Sequence, residues 1–543
     1  MTAPPAISVQ TPTTPESPRS DNLPSAAPRT GRTDGSRSAR GTTEWTAPAQ
    51  PFLKAVLTAF LPSGGAERSL FLSGINLMLI NFIMVQHSIV AFRRAEIAVI
   101  AFSLAYFLGV SAGYLVSDRL PAGRIRQSLP VFLLVQMGLI AGLQPLHAVL
   151  QRFCRSIGLS GLGDDLGAGL LIFALLAAFV TSIYAVFLPR TIASCGGDLR
   201  RPYSVEVAGS IAGLAAMPLL AALGHTVVLG AYLTTFLALM LSVGTPRRRA
   251  ALLAIVGAGF LAAFPALDRA GAALAYRHAY GWRVESMPLT QYTPYHKIEI
   301  ARVDGQNRLL LNGLRQFGGD PRRTYSHFVA EFPARLLGSP RVALLGCGSM
   351  ATVGRIGNFV PSIRIVDLDS AVFAASREHF RADNQLDRLR NWTFTADDAK
   401  HWLANTDETF DLILHDIPPA RSRQVALTYT DDFFRLVKAR LSPKGIFSIS
   451  SLSSNRGEAQ YGRRLLATLT SVFDSCFALE RNGSIYFYGG GKGLVAVDAG
   501  TLLRHLDPEL GRDARVLTGP EIRARAAGAN IITFSNVGDL IYD

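Results

Sequence analysis

The alternation of apolar and polar positions divides the chain in two. Apolar runs near 70–92, 97–117, 129–150, 166–188, 204–223, 225–243 and 250–267 each approach the roughly 20 residues that a helix needs to cross a bilayer. They lack the polar stripe of a soluble surface helix. From about residue 280 the period changes. HKIEIARV (296–303) alternates like a half-buried strand, Asp304-Gly305 is a turn, and RLLLNG (308–313) is the returning strand. TYSHFVAEFPARLL (324–337) reads as a helix. Strands at 342–345, 362–369, 410–416 and 445–450, and one opening 392–405, then alternate with helices at 350–357, 371–380 and 431–441. Such alternation predicts a parallel sheet with helices on both faces.

Before the first apolar run, residues 1–50 are rich in Pro, Ser, Thr, Ala and Arg. That composition predicts disorder, and the first apolar run comes too late for a signal peptide. PFLKAVLTAFLP (51–62) is too short to span and is expected at the membrane interface. The expected organisation is a disordered tail over 1–68, a transmembrane domain of about seven helices over 69–270, a β-hairpin subdomain over 280–325 and a Rossmann-like domain over 326–543.

Composition agrees with a membrane protein. Apolar and aromatic residues make up 49%, charged residues 17%, and the mean hydropathy is +0.25. The net charge of +14 comes largely from arginines in the tail and in short loops, without a basic stripe interleaved with aromatics, so nucleic acid is not an expected partner. The arginine-rich loops, 118–128, 190–201 and 247–249, alternate so as to share one side, the cytoplasm by the positive-inside rule. The last apolar run is short and carries Pro265. An incomplete seventh crossing is therefore expected, leaving the soluble half on the cytoplasmic side of the plasma (inner) membrane. Gly209 and Gly213 form a G-x-x-x-G for close helix approach. Glu206, with Arg200 and Arg201 nearby, is assigned a structural role. The four cysteines make no C-x-x-C, so neither a metal nor a disulfide framework is expected.

The candidate chemistry starts at VALLGCGSMATVGRI (342–356), a buried strand, a glycine turn at Gly346 and Gly348, and a helix start whose N–H groups suit a nucleotide or adenosyl ligand. Ligands of open α/β sheets lie at the carboxyl ends of strands. That rule selects the glycine turn, Asp367 and Asp369, Asp397 and Asp398, and Asp416. Asp367 suits ribose hydroxyls, against a helix cap or solvated acid. Asp398 suits an adenine amino group, with capping of the following helix as its rival. Cys347 reads as a small residue packed in the turn. His415 alternates away from Asp416 and reads as a core histidine. His327 is open to proton transfer. YGGGKG (488–493) reads as a hairpin connection, and the sequons NWT (391–393) and NGS (482–484) as chance matches.

Residues 282–480 resemble the polyamine aminopropyltransferase (spermidine synthase) family, and the whole chain resembles its variants with an N-terminal membrane domain. The matching stretches include TPYHKIEIARV, RLLLNGLRQF, LLGCGSMATVGRI, VDLDSAVFAASREHF, FTADDAKHWL and FDLILHDIPP, with GYLVSDRLP and VEVAGSIAG in the membrane half. The resemblance implies a class I methyltransferase-like fold. It also implies transfer of an aminopropyl group from decarboxylated S-adenosylmethionine to a small amine. It assigns the proton-accepting acid to Asp416, the adenine contact to Asp398, the ribose contact to Asp367, and the substrate lining to Gln316 and Tyr325. His296 stands where the family has a donor-binding glutamine, Ser349 where it has the acid that meets the aminopropyl ammonium, and Pro419 where it has a second acid after strand four. Two other functions remain open. One is a methyltransferase-like enzyme using S-adenosylmethionine itself. The other is a catalytically weak binding domain coupled to a transporter-like membrane half. The lipid bilayer is the remaining expected partner, and a homo-oligomer stays open.

Overall fold

The computed structural model describes residues 61–541 except 94, 159–167, 318–323, 421, 452–458 and 492–498. Residues 1–60 of the expected tail, and with them most of the interfacial segment at 51–62, lie outside the described residues, while Gly65–Arg68 already belong to the first helix. Among the described residues eight helices come first: α1 Gly65–Phe92, α2 Ala95–Ser117, α3 Ala122–Ser156, α4 Ala168–Ala185, α5 Phe187–Ser194, α6 Arg200–Leu223, α7 His225–Ser242 and α8 Arg247–Tyr280. They provide seven stretches long and apolar enough to cross a membrane, with α4 and α5 sharing the fourth, Ala174–Ser194. This bundle fits a multi-pass membrane protein. On α2, Ile100, Leu104, Phe107, Leu108 and Leu115 are all more than half exposed, which suits an outward face in contact with lipid rather than water.

The glycine pair brings backbones together. A Cβ on Gly209 would lie 2.1 Å from the Phe71 carbonyl oxygen, and one on Gly74 of α1 would lie 2.5 Å from that of Glu206. Helices α1 and α6 therefore touch main chain to main chain, as small residues allow in membranes. Arg201 does not serve Glu206. Its guanidinium binds the Glu67 carboxylate at 2.6 and 3.0 Å, while Glu206 is buried farther along α6.

The last long helix bears on the expected incomplete crossing. Helix α8 runs unbroken for 34 residues with Pro265 inside it, about 51 Å at 1.5 Å per residue. Proline is tolerated within membrane helices where neighbours and local adjustment satisfy the freed backbone groups. The helix outlasts the roughly 30 Å of a bilayer core, so the reason for expecting an incomplete crossing falls away. Its far end belongs to the next part of the chain: Ala272 and Tyr276 pack with Met287, Ala301, Val303 and Leu310.

Those last residues belong to a four-stranded antiparallel sheet, β1 Val284–Tyr292, β2 Lys297–Val303, β3 Gln306–Leu311 and β4 Leu314–Phe317, in the order β1-β2-β3-β4. The expected hairpin is its centre. Two-residue turns at Asp304-Gly305 and Asn312-Gly313 have positive φ at both positions, which matches the twist of the flanking strands.

The larger sheet comprises β5 Arg341–Leu345, β6 Ser362–Asp367, β7 Trp392–Ala396, β8 Phe410–His415, β9 Leu441–Ser451, β10 Ser475–Arg481, β11 Ser484–Gly490 and β12 Arg515–Thr518. Its order is β12-β10-β11-β9-β8-β5-β6-β7. Strands β9 to β7 in that order are parallel, and β11, β10 and β12 are joined by antiparallel pairings. The expected all-parallel sheet is thus mixed, in an α/β region resembling a Rossmann-like fold. Tyr488, Gly489 and Gly490 sit in β11, so the glycine run is not the hairpin connection. Asn482-Gly483 is, again with positive φ at both residues.

Candidate active site

Strand β5 is buried from Val342 to Leu345 and delivers the chain to Gly346. There the main-chain oxygen of Asp416 passes so closely that a Cβ would stand 2.4 Å from it, and φ is +86°. Only glycine meets both demands. The Gly346 N–H donates to the Val366 carbonyl at 2.7 Å, and the Asp416 N–H donates to that of Leu345 at 2.8 Å. Strands β5, β6 and β8 are thereby tied together at their carboxyl ends. Gly348 is also left-handed, and so is the buried Met350, a conformation that costs a non-glycine residue about 1–2 kcal/mol. The helix that follows, α9 Ala351–Ile356, has six residues. The turn is held by side chains instead: Ser376 Oγ donates to the Gly348 carbonyl at 2.5 Å and Asn384 Nδ2 to that of the buried Ser349 at 2.7 Å.

Asp367 ends β6. Its Oδ2 accepts from the Cys347 N–H at 2.8 Å and its Oδ1 from the Asp369 N–H at 3.0 Å. Burial pushes its carboxyl above the ordinary range, although these N–H groups act in the other direction. Asp369 caps helix α10 Ser370–His379 by accepting from the Ala371 N–H at 3.0 Å. Its other oxygen accepts from Thr293 Oγ at 2.7 Å and lies 3.4 Å from His296 Nδ1. Burial works to raise Asp369, yet the bonds from His296, Thr293 and Ala371 hold it below its usual value. His296 therefore stands beside the adenosyl-type acids, and it reaches Asp369.

Asp398 forms the cap that competes with adenine binding. Its Oδ1 accepts from the N–H groups of Lys400 and His401 at 2.9 and 3.0 Å, opening helix α11 Ala399–Asn405. Asp416 follows β8, half-buried. Thr352 Oγ donates to its Oδ2 at 2.9 Å, and the hydroxyl of Tyr325 is within hydrogen-bonding reach. Burial raises the Asp416 carboxyl, with Asp367 adding to the effect and Thr352 and Tyr325 opposing it. Tyr325 opens a helical stretch whose next turn, His327–Glu331, is π-helical. The residue as a whole is 40% exposed, while its phenol is pushed up by burial and by Asp416. Gln316 lies on β4 with its amide on the Leu314 carbonyl. Among the described residues no hydrogen bond joins it to Tyr325 or Asp416.

The remaining candidates are structural in their contacts. His415 is buried against Tyr429, Phe433 and Phe447, and burial lowers it to about 4. It is a neutral core histidine, as its alternation predicts. His327 pairs with Glu331 at 2.9 Å and accepts from the Asp507 N–H at 3.3 Å, which places it in an ion-pair cluster with Arg335 and Arg355. The buried Cys347 thiol is pushed up by burial and by the surrounding Asp367, Asp416 and Asp369, the opposite of a nucleophile's needs. Thr293, Thr352, Ser376 and Asn384 are additional site residues. Of these, only Thr352 has a signal in the sequence, a hydroxyl within the helix start that follows the glycine turn.

A family model described as the spermine/spermidine synthase domain matches residues 323–479. The chain is 32% identical over 182 residues to a polyamine aminopropyltransferase of Leptospira interrogans, covering 32% of this chain and 36% of that protein. It is 31% identical over 188 residues to one from Aeropyrum pernix, covering 33% and 59%. To one from a Synechococcus strain it is 30% identical over 231 residues, covering 40% and 72%. Against the first two proteins the chain spans less than two thirds of the relative's own length.

Proposed function

The chain belongs to the polyamine aminopropyltransferase family as a distant member, and on that footing we propose that its α/β half is a membrane-anchored transferase. The reaction is transfer of an aminopropyl group from decarboxylated S-adenosylmethionine to an amine such as putrescine. One observation carries the reading: Asp416, a half-buried acid fixed by Thr352, shares its main chain with the closest approach of the Gly346 turn. The proposed proton acceptor and the proposed donor cradle thus meet main chain to main chain.

The residues present fit an adenosyl group. Each Asp367 oxygen takes one N–H and keeps a lone pair for a ribose hydroxyl. Gly346 and Gly348 put no side chain of their own in the turn. When bound, the donor supplies an electrophilic methylene beside a sulfonium. Asp416 accepts the proton that the attacking amine must lose, and its raised pKa brings it closer to the acceptor's own range. Tyr325 and Thr352 orient its carboxylate. Asp398 is assigned to the adenine side with its second oxygen, since Oδ1 serves the cap. Gln316 and His296 line the acceptor and donor sides.

A second reading rests on Ser349 and Pro419. Without carboxylates at these positions the pocket attracts ammonium groups less, which favours S-adenosylmethionine itself and a methyl transfer. Calorimetry of the full chain in detergent with each sulfonium compound separates the two. Tighter binding of the decarboxylated compound, with turnover on an amine panel that Asp416→Asn lowers at least about 100-fold, supports aminopropyl transfer. Tighter binding of S-adenosylmethionine overturns it, and binding without turnover on any amine identifies a sensor.

A further inference from the structure

The most unusual group of charges lies under the four-stranded sheet, where it meets the helices. Lys297 of β2 is 2% exposed. Its ammonium lies 2.8 Å from Asp268 Oδ1, 3.0 Å from Glu299 Oε1 and 3.1 Å from Gln144 Oε1, and 5.4 Å from the centroid of the Tyr292 ring. Glu299 is fully buried, and its other oxygen accepts from the Tyr276 hydroxyl. The Tyr292 hydroxyl donates to Asp268 at 3.3 Å. The Tyr292 ring stacks on the His225 imidazole, centroids 4.0 Å apart, and His225 Nε2 lies 3.1 Å from His87 Nε2. A continuous set of titratable groups thus runs from α1 and α7 into β2.

Its charges do not balance. Two carboxylates face one ammonium, and a net charge left in a dry interior is costly. One further proton restores neutrality, on Glu299 or shared with the histidines. Burial pushes the Glu299 carboxyl up, against the pull of Lys297. The groups facing the cluster are His87 from α1, Gln144 from α3, His225 from α7, Asp268 and Tyr276 from α8, Tyr292 from β1, and Lys297 and Glu299 from β2. His147 of α3 lies against Phe92, and Arg93 lies over the Tyr280 ring. Ionisable side chains packed at membrane helices are by default functional rather than decorative.

The cluster also has an output. Tyr292 and Lys297 bracket the β1–β2 turn, which closes on itself through the Thr293 N–H and the His296 carbonyl at 2.8 Å. That turn sends Thr293 and His296 to Asp369, next to the acid that holds the glycine turn. We propose that the cluster is a proton-binding site at the membrane boundary, and that its proton sets how firmly the Tyr292–Lys297 turn grips Asp369. Loss of the proton leaves an uncompensated negative charge beneath the turn and loosens it. Through Asp369 the same event weakens the adenosyl site, a consequence that rests on the function proposed above, whereas proton binding itself does not.

Hydrogen exchange of the full chain in lipid nanodiscs tests the first part without any ligand. After correction for intrinsic rates, protection of the amides of 292–297 should fall about tenfold between about pH 6 and about pH 8. In Glu299→Gln, whose remaining Asp268–Lys297 pair is neutral, protection should stay at the low-pH level throughout. Asp268→Asn makes the same neutral count from the other side and serves if Glu299→Gln does not fold. A wild-type chain without the pH response, or variants that keep it, overturns the proposal. Variants that lose protection equally at both pH values show a purely structural ion pair and overturn it too. Calorimetry with decarboxylated S-adenosylmethionine should show about tenfold weaker binding at the higher pH in the wild type alone. Absence of binding at either pH counts against the adenosyl reading and leaves the exchange result to decide the proton site.

Discussion

The Thr352 hydroxyl donates a 2.9 Å hydrogen bond to Oδ2 of Asp416, joining the helix after the glycine turn to the acid after β8. A bond to the ionised form lowers a carboxyl's pKa, and here it offsets part of the rise caused by burial. Thr352→Val should therefore push Asp416 higher still. The rising limb of the pH profile of kcat/KM should move to higher pH, and Thr352→Ser should restore it. An unmoved limb would mean that Thr352 merely packs.

Glu331 should govern acid stability. Burial alone would raise it, but His327, Arg335 and Arg355 bring it down from 4.5 to about 2. The stabilisation is complete above the unfolded value and is lost as pH falls from 4.5 towards 2. Glu331→Gln should cost up to about 3 kcal/mol at neutral pH. The gap from the wild type in denaturant titrations should narrow steadily below that upper value.

Gly209→Val should separate α1 from α6. Even one carbon at this position would stand 2.1 Å from a main-chain oxygen, which cannot move as a side-chain tip can. Overpacking of this kind costs about 1–3 kcal/mol. Thermal unfolding in detergent should show a lowered midpoint, while Gly138→Val, at a position with open space around it, should change little.

If all seven long apolar stretches cross, the arginine-rich loops and the α/β half lie on opposite faces of the membrane. Single cysteines at Ser194 and at Ser339, in a chain freed of its own cysteines, should react with an impermeant reagent from opposite sides of sealed vesicles. Labelling from one side would mean that one helix does not cross. Labelling from opposite sides, with the loops on the cytoplasmic face by the positive-inside rule, would argue against the expected cytoplasmic α/β half.

Much of this molecule is legible in its sequence because each pattern has a local cause. The membrane helices show themselves through apolar runs, and β5, β6 and β8 through short buried stretches ending in glycine or aspartate. The antiparallel strands were harder, since the informative residues carried other meanings. Asn312-Gly313 and Asn482-Gly483 are two-residue hairpin turns, and in the sequence the second stands out only as part of a sequon. At the site, Gly346 and Asp416 stand out by strand-end position. Thr293 and Asn384 do not, because their partners Asp369 and Ser349 are brought to them by tertiary folding. The Lys297 cluster was hidden for the same reason: alternation marks HKIEIARV as a strand but cannot show that its lysine and glutamate face a helix carrying Asp268.

Helix α8 bears on where the chain can be divided. Its last turns supply Ala272 and Tyr276 to the core that also contains Met287, Ala301, Val303 and Leu310. A fragment beginning after Tyr280 would open that core to water and strand Lys297 without Asp268. The α/β half therefore does not end where the lipid begins, and it inherits part of its own interior from the last membrane helix. Proteolysis at this boundary would release a damaged α/β half.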